Sequence, residues 1–273
     1  MAIASSSLID PFAGVDHRYA SGVSVVASRD EVWDARSYLI TAGSDAVLID
    51  GNGNLAPLVA HARSTGSVIH AVLLTHTHED HVAGVAELSA QGMPVLAHPD
   101  APGGFHGTNI APGDVIRFGE LEIEAIHLPG HDPAQLAYRT SGLVVTGDSI
   151  YRRTVAGHAE PSEVSFAEHM TGIQERILGL PPETVILPGH GPATTVADEL
   201  AANPFMRLFS GADAPPAPRA CRVGGPFGLW EAELLLIAPD YDGGLKALVR
   251  FPTIGRAMVP GSQLYSAEGQ PWR

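Results

Sequence analysis

Hydrophobic and polar positions along this chain mostly follow the short two-residue alternation of strands, interrupted by stretches whose apolar spacing fits a helix. Residues 23–28 (VSVVAS), 37–42 (SYLITA) and 46–50 (AVLID) read as strands separated by polar turns. Residues 55–63 predict a helix, 68–74 (VIHAVLL) a buried strand, 82–90 a second helix and 94–97 another strand. The segment 114–127 alternates around a Gly-containing turn, as a β-hairpin does, and 135–139 and 143–146 continue the β pattern. A helix is predicted over 165–178, with Ser162 or Ser165 as its N-cap. A strand at 184–187 and a helix over 195–202 close this part.

Strands outnumber helices, and hairpins are mixed with βα units. That order predicts an α/β sandwich, two central sheets with helices outside. The stretch GADAPPAPRA, 211–220, reads as a linker. Beyond it, LWEAELLLIAP and LKALVRF flank the turn-like segment 240–244 (DYDGG) and predict a hairpin. The expected division is a catalytic domain over 1–210 and an extension over 211–273 that packs on it as a cover or interface, without metal ligands.

Composition narrows the function. At 273 residues with 45% hydrophobic and 17% charged residues, the chain is long enough to bury a substantial core. Its net charge of −14 disfavours nucleic acid and anionic membrane surfaces as partners. Cys221 is the one cysteine, which excludes an intrachain disulfide and a Cys-rich zinc module; it reads as a small buried residue. The opening residues MAIASSSLIDPFAG lack a basic segment followed by an apolar run, and no stretch reaches the length of a membrane span, so a cytoplasmic placement is expected. The 13 histidines outnumber Trp and Tyr together, and several crowd into one segment.

That segment is LLTHTHEDH, 73–81. His76, His78, Asp80 and His81 follow an apolar strand directly. Residues two apart on an extended chain point the same way, so His76 and His78 can grip one ion. If the chain then turns into a helix, Asp80 and His81 can face a neighbouring ion. Imidazole and carboxylate donors suit zinc, iron or manganese. Three further positions share one context: His131 in LPGHDPAQ, Asp148 in VVTGDSIY and His190 in ILPGHGPATT each follow an apolar run and sit beside a glycine.

The order His-x-His-x-Asp-His, then His, Asp and His, resembles the metallo-β-lactamase superfamily over about residues 20–206, and within it the short hydroxyacylglutathione hydrolase (glyoxalase II) relatives. TGDSIY at 146–151, LPGHGPATT, Glu199 and NPF at 203–205 support the latter. The resemblance implies a four-layer αββα fold with the site at one edge of the paired sheets. It also implies that His76, His78 and His131 hold one divalent metal, that Asp80, His81 and His190 hold a second, and that Asp148 bridges them, with zinc expected and iron or manganese as alternatives. Two segments depart from those relatives. RRTVAGHAEP, 152–161, replaces a Gly-rich stretch after Asp148, and no C-terminal helical domain for glutathione is recognisable, so glutathione specificity does not carry over.

A pair of cations lowers the pKa of a bridging water, and the resulting hydroxide attacks a thioester, ester or lactone carbonyl. Asp80 is also a candidate to orient that nucleophile or accept its proton. Asp50, at the end of AVLID, is placed to hydrogen-bond a ligating imidazole. Tyr151, Arg152, Arg153 and His158 are candidates to meet a small-molecule acyl substrate. His17, His61, His70, His98, His106, His127 and His169 read as structural or exposed. Two other chemistries fit the same motif: a mononuclear iron persulfide dioxygenase, and a polyketide thioesterase or cyclase. A homo-oligomer is compatible with all of these.

Overall fold

In the computed structural model, residues 9–11, 22–102, 109–158, 162–225 and 228–272 are described. His17, His106, the end of the 152–161 segment and most of the N-terminal stretch lie outside them.

The first alternating segments form a five-stranded sheet. β1 (Val23–Arg29), β2 (Arg36–Ala42) and β3 (Asp45–Ile49) pair antiparallel, whereas β4 (Val68–Leu73) and β5 (Val95–Leu96) continue it in parallel. Parallel neighbours need crossover connections, supplied here by helix α1 (Ala56–Thr65) and the short helices α2 (Glu79–Val82) and α3 (Val85–Ala90). The single helix expected over 82–90 is therefore two pieces, beginning earlier. Gly84 separates them, where a Cβ would press on the carbonyl oxygen of Asn52 at 2.6 Å, so only a glycine lets the helix come so near the end of the first sheet.

The second sheet uses β6 (Val115–Phe118), β7 (Leu121–His127), β8 (Leu136–Thr140) and β9 (Leu143–Gly147). A two-stranded ribbon, β10 (Ile150–Tyr151) with β11 (Thr154–Val155), and helix α4 (Glu163–Gly172) follow before the sheet resumes with β12 (Val185–Pro188) and β13 (Thr194–Thr195). Ser162 and Ser165 both serve the N-terminus of α4. The Ser162 hydroxyl accepts from the Ser165 amide at 3.0 Å and the Ser165 hydroxyl from the Ser162 amide at 3.1 Å, a capping box. The remainder of the expected helix continues as a π-helical turn, Ile173–Ile177.

Side-chain alternation sorts the sheets into layers. Tyr38, Ile40, Val47, Ile49 and Leu73 from the first sheet meet Ile123, Leu136, Tyr138, Val145 and Leu187 from the second, closing one core between them. The alternate residues Leu39, Leu48 and Val72 face outward against Leu58 and Ala62 of α1 and Val85 of α3. On the other side, Ala137, Val144 and Ile186 face Phe166 and Met170 of α4 and Phe205 and Met206 of α6 (Pro204–Phe209), which follows α5 (Val196–Ala202). The result is the four-layer αββα sandwich.

The extension departs from the expected hairpin. The turn at 240–244 does join two antiparallel strands, but they are the middle of a five-stranded sheet: β14 (Arg219–Gly225), β15 (Gly228–Pro239), β16 (Leu245–Phe251), β17 (Gly255–Pro260) and β18 (Leu264–Ser266). The spatial order is β17-β16-β15-β14-β18. Only Gly261–Gln263 separate β17 from β18, a span of roughly 10 Å, yet the two strands occupy opposite edges. The sheet must therefore curl until its edges approach, and it encloses a core of its own around Val223, Leu234, Val249 and Leu264. Its other face supplies Ala238, Leu248 and Met258 to the cluster beneath α4 and α6. No helix among the described residues is long and apolar enough to cross a membrane.

Candidate metal centre

Seven donor side chains converge at one end of the paired sheets. They come from loops after strands and from the first helical turn that follows β4, because that is where backbone leaves the ladder and side chains are free to gather. His76, His78 and His131 form one group, Asp80, His81 and His190 another, and His76, His81 and Asp148 a third that links them; within each group the donor atoms lie within 4.8 Å of one another. His76 Nε2 is 3.1 Å and His131 Nε2 3.0 Å from His78 Nδ1. Nitrogens about 2.0–2.1 Å from a tetrahedral ion stand roughly 3.3 Å apart, so these separations approach those of ligands sharing one ion. Asp148 spans the groups: its Oδ1 is 3.3 Å from His81 Nε2, and its Oδ2 is 3.2 Å from His190 Nε2 and 3.8 Å from His131 Nε2. Asp80 Oδ2 is 3.1 Å from His190 Nε2.

The surrounding hydrogen bonds fix which ring nitrogen faces inward. The Asp50 carboxylate accepts from His81 Nδ1 at 2.9 Å. The Gly157 carbonyl, which can only accept, receives a hydrogen bond from the His131 Nδ1–H at 2.9 Å. Thr75 Oγ1 donates to Asp50 at 2.8 Å, so its contact with His76 Nδ1 at 3.1 Å has the imidazole as donor. In all three histidines the Nε2 lone pair is thereby left for the cluster.

Two buried atoms at its heart have no hydrogen-bond partner: His81 Nε2 and Asp148 Oδ1. Without cations the cluster balances its charge by protons. Burial would depress His81, yet Asp148 and Asp50 hold it well above the ordinary histidine range. His190 is likewise pushed up to about 9 by Asp148 and Asp80 against the pull of burial. Burial would raise Asp148, but His81 and His190 hold it well below the usual carboxylate range. Orphaned inward atoms, inward lone pairs and buried carboxylates in need of positive charge are what a site for divalent ions requires, and the donor set fits two.

Asp50 sits off the end of β3 at φ 58°, a left-handed conformation that costs a non-glycine residue free energy. Its three hydrogen bonds, with the Thr75 amide at 2.7 Å as the third, hold it there. Asp50→Asn is expected to weaken metal binding about 10–100-fold, the usual cost of losing the partner of a ligating imidazole. Competition with a chelator measures this. Unchanged affinity would show that His81 is oriented without Asp50.

Of the candidate substrate residues, His158 packs near the ligand His131, whose charge it feels, and Tyr151 is brought to the cluster itself. Its buried ring lies 5.9 Å from that of His190, and burial and the Asp148 carboxylate keep its phenol protonated. Arg152 is half-buried. Arg153 is exposed, and what the fold uses is its amide, which donates to both carboxylate oxygens of Glu199 at 3.0 Å. Glu199 is fully buried and also accepts from Thr194 Oγ1 at 2.6 Å and Asn203 Nδ2 at 2.8 Å. This knot ties the β10–β11 turn, and Tyr151 with it, to α5.

His158 is buried, with Nε2 3.3 Å from Nδ1 of the buried His169. Desolvation lowers His158 to about 4 and His169 well below the ordinary value. Both rings are therefore neutral in the fold, and the unfolded chain binds the extra protons. Stability is full above about pH 6.5 and falls with acidification, by up to about 3 kcal/mol for His158 once the pH is below 4. Urea midpoints between pH 7 and 4 test this; a His158→Leu variant should show a flatter profile, and an identical one would rule the pair out.

Sequence reasoning missed Thr75, whose hydroxyl links Asp50 to His76, and Tyr241, whose ring stacks on His190 at 5.1 Å with 24° between planes. It also missed Gly189, where any Cβ would collide with the Asp148 carboxylate. A glycine directly before a ligand histidine is a signal that could have found the last. Nothing local marks Tyr241.

Residues 31–190 match the family model of the metallo-beta-lactamase superfamily. The probable metallo-hydrolase YqgX of Bacillus subtilis is 28% identical over 199 residues, covering 64% of this chain and 94% of that one. A hydroxyacylglutathione hydrolase of Xanthomonas euvesicatoria is 32% identical over 157 residues, 56% of this chain and 58% of that one. Among solved structures, TTHA1623 in a di-iron-bound form is 31% identical with a TM-score of 0.54, covering 66% of this chain and 98% of that one.

Proposed function

Since this chain belongs to the metallo-β-lactamase superfamily, we propose that it is a two-metal hydrolase of thioesters, esters or lactones. The observation that carries the reading is the convergence of seven donors in two groups sharing Asp148, with the tautomers of His76, His81 and His131 set so that their lone pairs face inward. His76, His78 and His131 would hold one divalent ion and Asp80, His81 and His190 the other, with Asp148 common to both.

The chemistry that two bound divalent ions supply is Lewis acidity: water of lowered pKa, and counter-charge for a carbonyl oxygen that turns anionic. The chain's own residues do the rest. Asp80 is the more accessible of the two ligand carboxylates, its side chain 20% exposed against 7% for Asp148, and the neighbouring His190 and His81 outweigh burial and hold it ionised. It is placed to orient a nucleophile at Oδ2 or accept its proton. Tyr151, kept protonated, offers a donor at the wall beside His190. No further acid is needed for a thiolate leaving group, which departs without protonation, and this favours thioesters among the three.

A single iron uses a face of two histidines and one carboxylate, the basis of the persulfide dioxygenase alternative. That alternative gives His81 and His190 no ligand duty, although they converge on the same cluster. The test is metal content of protein purified without added metal, followed by a thioester, ester and lactone panel run beside an oxygen electrode with a persulfide. Close to two ions per chain with acyl cleavage supports the hydrolase. One iron with oxygen uptake and no acyl cleavage overturns it.

A further inference from the structure

The curled C-terminal sheet reaches the metal centre through the turn between β15 and β16. The β15–β16 connection closes with the Asp240 amide donating to the Gly244 carbonyl at 2.9 Å. A buried ion pair anchors its base, Lys246 Nζ to Asp240 Oδ2 at 2.9 Å, with both side chains under a tenth exposed. At its tip, Tyr241 lies on the chain just after His190: a Cβ on Gly191, which has φ 69°, would stand 3.1 Å from the Tyr241 Cβ. The Tyr241 ring stacks on His190 and lies 4.6 Å from that of Tyr151, tilted by 54°. Three rings from three segments thus make one aromatic wall, and Tyr241 is its half-exposed member.

The carboxylates whose fields reach the Tyr241 phenol are Asp148, Asp240, Asp242 and Asp34. Asp148 belongs to the metal cluster, Asp240 is paired with Lys246 and Asp34 with Arg29 at 3.1 Å, which leaves the exposed Asp242 as the one of these four carboxylates outside a cluster or ion pair among the described residues. Asp34 lies on the β1–β2 turn, beside the exposed apolar side chains of Val32 and Trp33. A group seated against Tyr241 meets ring faces below and the negative charge of Asp242 to one side.

We propose that Tyr241 is a specificity-determining residue that forms the acyl-side wall of the site and selects flat, uncharged acyl groups, with aryl thioesters or esters as the substrate class. This rests on the hydrolase reading above. An aromatic acyl group gains offset or edge contacts with the wall in addition to its apolar burial. An acyl group ending in a carboxylate is repelled by Asp242.

The experiment uses the metal-loaded full chain with S-benzoyl, S-acetyl and S-succinyl thioesters of one small thiol. In parallel, calorimetry follows binding of the uncleavable S-phenacyl thioether of that thiol. Wild type should favour benzoyl over acetyl and acetyl over succinyl. Tyr241→Leu should lower the benzoyl-to-acetyl ratio of kcat/KM about tenfold, mainly through KM, and weaken thioether binding by a similar factor. Tyr241→Phe keeps the ring and should keep both. An unchanged ratio and affinity in Tyr241→Leu, or a Phe variant as impaired as Leu, overturns the inference even if thioesters are cleaved. If wild type cleaves no acyl compound yet binds the thioether in a Tyr241-dependent way, the hydrolase reading fails and the aryl wall stands.

Discussion

Asp148→Asn is expected to reduce bound metal from about two ions per chain to one or none and to lower kcat/KM by more than about 100-fold, beyond the usual cost of losing a hydrogen-bond partner of a ligand. Asp148 is the carboxylate within reach of His81, His131 and His190 together. Asparagine preserves its shape, which matters because Gly189 leaves room for nothing larger against it. The charge is lost, however, and an amide N–H facing the inward lone pair of an imidazole opposes ion binding. Metal analysis after gel filtration, paired with steady-state kinetics, reads both effects. Unaltered metal content and turnover would remove Asp148 from the site.

The second large effect concerns the C-terminal sheet. A chain ending at Ser210 is expected to lose cooperative folding and accumulate as aggregate, although all seven candidate ligands remain. Ala238, Leu248 and Met258 close the cluster that contains Phe166, Met170, Phe205 and Met206. Emptying a single buried Leu or Met site costs about 2–5 kcal/mol. Several at once approach the whole stability of a domain, about 5–15 kcal/mol, and leave a broad apolar face in water. The expectation of a separable cover is replaced by that of a shared core. Soluble yield and a thermal scan decide it: a soluble fragment melting within a few degrees of the full chain would show that the sheet is an accessory after all.

The candidate ligands are legible in the chain because metal chemistry leaves local marks. His131, Asp148 and His190 each stand after an apolar run and beside a glycine, and the spacing of His76, His78, Asp80 and His81 carries its own geometry from strand to helix. The layers are legible for a similar reason, since alternation over 37–42 and 46–50 already assigns Tyr38, Ile40, Val47 and Ile49 to one face. What could not be read depends on contacts distant in sequence. The break at Gly84 is set by Asn52, the pairing of β14 with β18 spans the whole extension, and Tyr241 acquires its place only when the last sheet docks. Arg153 misled in another way. A cation in a loop after Asp148 suggests an anion site, but at φ 64° the fold uses its amide and leaves the side chain outside.

The sharing of one apolar cluster between the sandwich and the curled sheet also orders events during synthesis. A ribosome delivers His190 before any strand of the curled sheet has been made, so every candidate ligand is present while Phe166, Phe205 and Met206 still lack their cover. Domains generally fold as units from the N-terminus at about 5–20 residues per second of elongation, and the second half of this one has to wait several seconds for β16 and β17. The nascent chain therefore carries a sticky, half-built face, and metal captured early would pin the two sheets of the sandwich to each other while the outer layer is still unmade.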